Sequence, residues 1–405
     1  MTDSLHSLFL LIASALVMIM VPGIGLFYGG MVRSKNVVST IIESFVILAA
    51  IDLLWVFIGY TLVYGPDLYH IIGSFDFIAM QNLPALSPFS QDVDIYSFIL
   101  FQGMFAAISP VIINGSVVER VRFPALLLFS LLWSLAVYCP VAHWVWGPGG
   151  FLADMGALDF AGGTVIHITT GFSGLAACLY VGKRGGHAAK LLPHNLTLSI
   201  IGTILIWFGW FGFNGGSALY TDKVCSTAFI TTNTAAASGL LAWMFAEWLH
   251  RGKPTALGII SGVVAGLVGI TPAAGFVTIM SSIAIGMVTS LICYGFVIAK
   301  HRVFKYDDAL DAFGIHGVGG VVGSVLTGVF ASNAVDSEIS NGLLYGNSSL
   351  LGVQFIAALI AAVFAFLVTL VLLKIVDKFT HVRAHGKEER IGLDLTQHGE
   401  SGYRF

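Results

Sequence analysis

"FAGGTVIHITTGFSG", residues 160–174, is the stretch whose reading decides the fold. It reads as most of an apolar helix, and His167 stands in its middle. Composition supplies the setting. Hydrophobic residues make up 57% of the 405 residues and charged residues only 10%, with a mean hydropathy of +0.88. A soluble domain of this length needs more charge than that to keep its surface in water. The helix therefore belongs in a bilayer, and the question becomes why an imidazole sits where water is absent.

Around this stretch, apolar runs of the roughly 20 residues that cross a bilayer follow one another almost without gaps. Eleven are expected, near 7–31, 37–63, 95–118, 123–143, 161–182, 196–216, 226–249, 256–276, 279–299, 309–330 and 350–373. This is an all-α, multi-pass membrane domain over 1–376, followed by a polar cytoplasmic tail over 377–405. No separate soluble module is left. The formal net charge of −3 points to no partner and gives no sign of nucleic-acid binding.

Orientation follows from the basic residues. Arg33 and Lys35 follow the first span, Arg120 and Arg122 the third, and Lys183, Arg184 and Lys190 the fifth. Arg251 and Lys253 follow the seventh, and Lys300, Arg302 and Lys305 the ninth. The rest lie in or beyond the end of the eleventh. Of 19 Lys and Arg, only Lys223 falls on the other side. The positive-inside rule then puts the N-terminus outside and the C-terminus in the cytoplasm, as an odd number of spans requires. The leader "MTDSLH" carries an acid and no Lys or Arg, unlike a cleavable signal peptide. Cys139, Cys178, Cys225 and Cys293 form no CxxC pair, so neither a disulfide framework nor a zinc site is indicated.

An internal repeat connects the opening stretch to a second one. "GGTVIHITTG" in the fifth span answers "FGIHGVGG" in the tenth, and "AAISPVI" in the third answers "GITPAAG" in the eighth. Each pair is five spans apart, and an odd offset inverts the second copy. Spans 1–5 and 6–10 then form inverted repeats, with the eleventh added and a working site near the midplane.

Within the repeat, Gly163, His167, Gly171 and Gly174 share one helical face, and so do Ala312, His316, Gly320 and Gly323. Stripes of small residues let membrane helices approach closely, which could bring the two imidazoles into contact. A single membrane histidine is as readily a hydrogen-bonded core residue as a working one. A matched pair points to function, because ionisable groups inside the membrane are expensive to keep. Two imidazoles alone are too few for a metal site, and no cofactor motif accompanies them.

The chain resembles an ammonium transporter of the Amt/Mep/Rh superfamily, and the resemblance covers nearly all of it. The motifs that carry it are "VPGIGLFYGGMVRSKN" (21–36), "FQGMFAAISP" (101–110), "AHWVWGPGGFL" (142–152), "GALDFAGGTVIHI" (156–168), "WFGFNGGSA" (210–218), "GLVGITPAAG" (266–275) and "DDALDAFGIHGVGG" (307–320). The absence of the longer loops of animal Rh proteins favours the Amt branch. The resemblance implies a homotrimer in the plasma membrane with one pore per subunit and no enzymatic activity. An outer site of Phe105, Trp146 and Ser217 would recruit the cation, and Phe105 and Phe213 would close its floor. Asp159 would sit just below, and His167 and His316 would line the pore. Two departures stand out. The interval from Trp146 to Asp159 is one residue longer than the family pattern, which leaves Trp144 as a rival. Asp52 stands where the family usually has a small or uncharged residue.

The physics of these roles is simple. Aromatic faces attract a cation, and a serine hydroxyl can accept an N–H bond. A bare charge in a dry pore would cost far more than these return. Ammonium can escape by losing its proton and crossing as ammonia, whereas potassium has none to lose. Asp159 is equally readable as a helix N-cap and as a stabiliser of the incoming charge. Glu43 and Asp52 lie inside the second span, where a carboxylate is expected to be paired, protonated or at a subunit interface. In the tail, "GLDLTQHGE" resembles the family's regulatory motif at the cytoplasmic face, where PII-type signalling proteins bind in many relatives. Two other function classes compete: an ammonium sensor on the same fold, and an intramembrane enzyme using the histidines as bases. The enzyme lacks an HExxH, GxSxG or paired-carboxylate motif.

Overall fold

The computed structural model describes residues 2–185 and 192–403, so that Lys190, counted above among the basic residues, lies outside them. Most of the chain is helical. Helix α1 is Thr2–Met31. Helix α2, Val37–Leu54, runs through a widened π turn at Trp55–Gly59 into Tyr60–Tyr64. Helix α3 is Ile95–Val117, and α4 is Phe123–Trp133 continued through Ser134–Tyr138 to Cys139–Trp146. Helix α5 opens with a π turn at Gly163–Ile168 and continues as Thr169–Val181. Then come α6 (Leu196–Gly216), α7 (Lys223–Arg251), α8 (Ala256–Ile270) and α9 (Ile279–Ala299, extended by Lys300–Phe304). Helix α10 opens with a π turn at Phe313–Gly317 and continues as Val318–Phe330, and α11 is Ser349–Thr380.

Local chemistry sets these boundaries. Asp94, Asp222, Thr255 and Thr278 each stand just before a helix and accept its first free backbone N–H groups. Pro124 occupies the first turn of α4, where its missing N–H costs nothing. Gly252 closes α7 in the left-handed conformation at φ 76°.

Among the described residues, nine helices are long and apolar enough to cross a membrane. Helices α7 and α8 fall outside that set, although spans were expected over 226–249 and 256–276. Helix α7 is long but carries threonines, Asn233 and Glu247 along its length. Helix α8 is apolar, but only 15 residues precede Thr271 and Pro272, where the regular turns stop.

Helix α1 packs along α6, so the first members of the two expected repeats lie together, and α7 packs on α8 and α9. Leu53, Phe57 and Leu367 stand out on the outer faces, 55–63% exposed. Outward-facing large apolar side chains suit a hydrocarbon solvent. Between α2 and α3 the chain forms two short hairpins, Asp67–Leu68 with Ile72–Gly73 and Leu86–Ser87 with Ser90–Asp94.

The small-residue stripes do bring α5 and α10 together. A Cβ at Gly171 would strike the backbone of Gly317, and one at Gly320 would lie 3.0 Å from the Cβ of His167. Both helices begin with a π turn that contains the histidine, a widening that regular helical spacing does not anticipate.

Candidate functional site

On one side of the α5–α10 crossing lies a cavity of about 560 Å³. Phe105, Trp146, Asp159 and Ser217 line it, with Asp222, Asp336 and Glu338 at the acidic part of its wall. The Trp146 ring stands edge-on to Phe105 at 6.0 Å, and its Nε1 donates to the Asp159 carbonyl at 2.9 Å. Ser217 Oγ donates to the Phe213 carbonyl at 2.9 Å, so its own lone pairs are left for an incoming donor. Trp144 is placed elsewhere. Its Nε1 donates to the Ile71 carbonyl, and its ring packs on Phe151 and Phe364.

Phe105 and Phe213 form the floor. Their rings stack at 4.3 Å with 20° between planes, and each is 1% exposed. Below them a narrow apolar cavity of about 20 Å³ holds space for a single water-sized molecule. Met20, Ile24, Ile108 and Val264 are among its walls, and its polar members are His167 and His316 together with Trp210 and Tyr28, whose hydroxyl donates to the Ile112 carbonyl. Their Nδ1 atoms lie 3.2 Å apart. One Nδ1 must donate and the other accept, so a neutral pair satisfies itself and turns both Nε2 atoms outward. His167 Nε2 has no hydrogen-bond partner among the described residues. The His167 ring lies nearly parallel to Trp210 at 5.5 Å, and Trp210 is held by a bond from its Nε1 to Thr271 Oγ1. Among the described residues no three His, Cys, Asp or Glu side chains gather as metal ligands.

Asp159 serves as a cap. Its Oδ1 accepts from Gly162 and Gly163 and its Oδ2 from Thr164 and Val165, at 2.6–3.0 Å. These are the free N–H groups that open α5. Gly162 makes the turn into the helix at φ 110°, where a side chain would be strained.

Sequence reasoning passed over a second carboxylate of the same kind. Asp308 is buried and accepts from Ala312 at 3.2 Å and Phe313 at 2.9 Å, at the start of α10. The interval was visible: Asp159 precedes His167, and Asp308 precedes His316, by the same eight residues. Asp308 borders a third cavity of about 560 Å³, which shares Phe27 with the narrow one and includes Lys183, Lys300, Lys305 and Tyr306. The narrow cavity thus lies between two wide ones.

The two acids of α2 are unlike. Glu43 is 4% exposed and accepts from Ser39 Oγ and Asn114 Nδ2, both at 2.8 Å. Asp52 is half-buried, and its Oδ1 has no hydrogen-bond partner among the described residues. The structure offers no physical account of that residue.

The tail lies against the face that carries the basic loops. Asp394 accepts from Val38 and Ser39 at the start of α2, and Leu393 N donates to Asn36 Oδ1. Gln397 accepts from Phe123 N at the start of α4, and Lys35 Nζ donates to the carbonyls of Glu389 and Arg390. Nearby, Arg184 clamps Asp307 through Nε and Nη2 and reaches Glu119 at 3.0 Å. Burial pushes the Asp307 carboxyl up, but the bonds and charge of Arg184, with Arg120 beyond, outweigh it and hold its pKa at about 2.

A model of the Ammonium Transporter Family matches residues 8–403. The ammonium transporter of Bacillus subtilis (strain 168) is 49% identical over 400 residues, 98% of each chain. The ammonium transporter Amt1 of Archaeoglobus fulgidus is 46% identical, over 97% of this chain and 98% of the relative. Among solved structures, Saccharomyces cerevisiae Mep2 superposes with a TM-score of 0.89 at 38% identity, covering 94% of this chain and 88% of that one. A structure titled "Sensor Amt Protein" superposes at 0.90 with 28% identity, covering 98% of each. Over nearly its whole length, this multi-pass membrane chain belongs to the ammonium transporter family.

Proposed function

We propose that this protein carries ammonium across a membrane by taking the cation at the Trp146 cavity and passing it inward as ammonia. One observation carries the reading: a wide acidic-walled cavity, a stacked phenylalanine floor and a bonded histidine pair follow one another along one path. The names of the relatives support ammonium as the substrate and transport as the activity.

Ammonium gives up part of its water for the faces of Phe105 and Trp146 and the free lone pairs of Ser217. Proton loss follows, because the 20 Å³ apolar cavity offers no compensation for a bare charge. Ammonia then moves past the rings of His167 and His316. The proton it left travels along the imidazole pair and rejoins ammonia on the far side, so one ammonium enters and one leaves. Asp159 and Asp308 act as positioning residues, fixing the helix starts from which the histidines project.

The same reading takes all eleven helices as spans in two inverted repeats of five plus α11, with the N-terminus outside and the C-terminus in the cytoplasm. It takes 1–376 as the membrane domain, 377–405 as a regulatory tail, a homotrimer as the working unit and a PII-type protein as a partner of the cytoplasmic face. The likeness to a solved sensor keeps a receptor as the second reading. Currents from the protein in proteoliposomes during ammonium pulses separate the two. Transport predicts a sustained ammonium-dependent current. A protein that binds ammonium and passes neither current nor ammonia would favour the receptor.

A further inference from the structure

Gln102 lies one turn ahead of Phe105 on α3 and lines the same cavity as Phe105, Trp146 and Ser217. Its carbonyl oxygen is shielded from solvent and accepts no hydrogen bond among the described residues. Leaving a shielded amide unpaired is costly, and native proteins rarely do it without a reason. Another glutamine of this chain shows the ordinary outcome. Gln354 is buried, donates to the Leu158 and Ser324 carbonyls and accepts from Leu158 N at 2.7 Å. The Gln102 side-chain oxygen is used by neither the helix nor its neighbours among the described residues. A half-turn about its last torsion exchanges oxygen and nitrogen, and the oxygen holds no bond among the described residues that the turn would break.

The neighbouring groups show what is missing. Ammonium brings four N–H donors. The aromatic rings offer only faces, and the Ser217 hydroxyl is turned by its bond to Phe213 so that lone pairs alone remain. A cation at Phe105 therefore finds too few acceptors for the water it gives up. We propose that Gln102 is a recognition residue of this site, its side-chain carbonyl accepting one N–H of the incoming ammonium beside Ser217. This rests on the recruitment role assigned above to the Trp146 cavity. An amide suits the task because it accepts strongly while adding no charge that would hold the cation in place.

The test is ammonium titration by calorimetry on the full chain in detergent, paired with ammonium-evoked current in proteoliposomes, for wild type, Gln102→Leu and Gln102→Glu. Gln102→Leu keeps the bulk and removes the acceptor. Binding should weaken about tenfold, equal to about 1.4 kcal/mol, and half-saturation of the current should rise in parallel. Gln102→Glu keeps an acceptor and should bind no more weakly than wild type. Wild-type affinity in Gln102→Leu, or equal weakening in both variants, would overturn the assignment. A wild-type protein that binds ammonium but passes no current would fail the transport reading alone, and the calorimetric comparison would still decide for or against Gln102. No binding by the wild-type protein would overturn both.

Discussion

Asp159 and Asp308 each stand eight residues ahead of a histidine of the bonded pair His167–His316, and each carboxylate accepts the backbone N–H groups that open that histidine's helix. The two caps border the two wide cavities on either side of the histidine pair. Each sets the start of a π turn, and the turn sets where its imidazole projects. Removing a cap typically costs about 1 kcal/mol, and a buried one serving several N–H groups costs more.

The expected outcome for Asp159→Ala and Asp308→Ala is a loss of several degrees in melting temperature in detergent, with ammonium current reduced in both. Asp159→Asn keeps an acceptor oxygen and should lose less. Melting curves and currents on the same preparations check this. An Asp308→Ala protein with wild-type current would remove Asp308 from its positioning role.

Recruitment separates the two tryptophans. Trp146→Leu removes a ring beside Phe105 and the bond to the Asp159 carbonyl, so half-saturation for ammonium should rise about tenfold and potassium should compete better. A cation–π contact at a partly desolvated site is worth about 1–2 kcal/mol, which is of that order. Trp144→Leu loses packing on Phe151 and Phe364 and should lower thermal stability with little change in half-saturation. The reverse ranking would place the recruitment site on the wrong tryptophan.

The tail contact is also open to test. Asp394 is the cap of α2 supplied from the far end of the chain. Asp394→Ala should speed protease cleavage after residue 380 severalfold while the helical core stays resistant. Unchanged cleavage would show that Gln397 and Lys35 hold the tail without it.

The Asp307 clamp predicts a particular pH window. A carboxyl whose folded pKa is depressed stabilises the fold above its unfolded pKa of about 3.9, and that stabilisation is lost as pH falls through the folded value. With the folded value at about 2, the window lies between roughly pH 4 and pH 2. Asp307→Asn should melt below wild type by a constant interval from pH 7 to pH 5, with the interval closing only under more acid conditions. An interval that closes between pH 7 and pH 5 would contradict the clamp.

Much of this was legible in the sequence. The apolar runs announced a membrane chain because bilayer thickness fixes their length. The glycine stripes pointed to an α5–α10 crossing because only small residues permit it. Other features left no local trace. The π turns at Gly163–Ile168 and Phe313–Gly317 are widenings that regular helical spacing does not register. The tail's anchors join residues far apart in the chain, from Gln397 and Phe123 at 274 positions to Leu393 and Asn36 at 357, so no periodicity could reveal them. Over 226–249 and 256–276 the sequence announced apolar spans, but α7 carries threonines, Asn233 and Glu247, and α8 stops at Ile270, so neither meets the length and hydropathy of the other nine among the described residues.

The central claim is that the His167–His316 pair conducts the proton that ammonium leaves behind. Its most direct test is the ammonium-evoked current of His167→Ala/His316→Ala in proteoliposomes, set beside ammonia uptake read by an internal pH dye. Removing both rings takes away the two imidazoles of the narrow path and leaves Tyr28 and Trp210, whose polar atoms are bonded to Ile112 and Thr271. The account predicts that the current is lost or falls at least tenfold in a protein that still folds. A double variant with wild-type current and wild-type rejection of potassium would contradict the relay and leave two histidines that only pack.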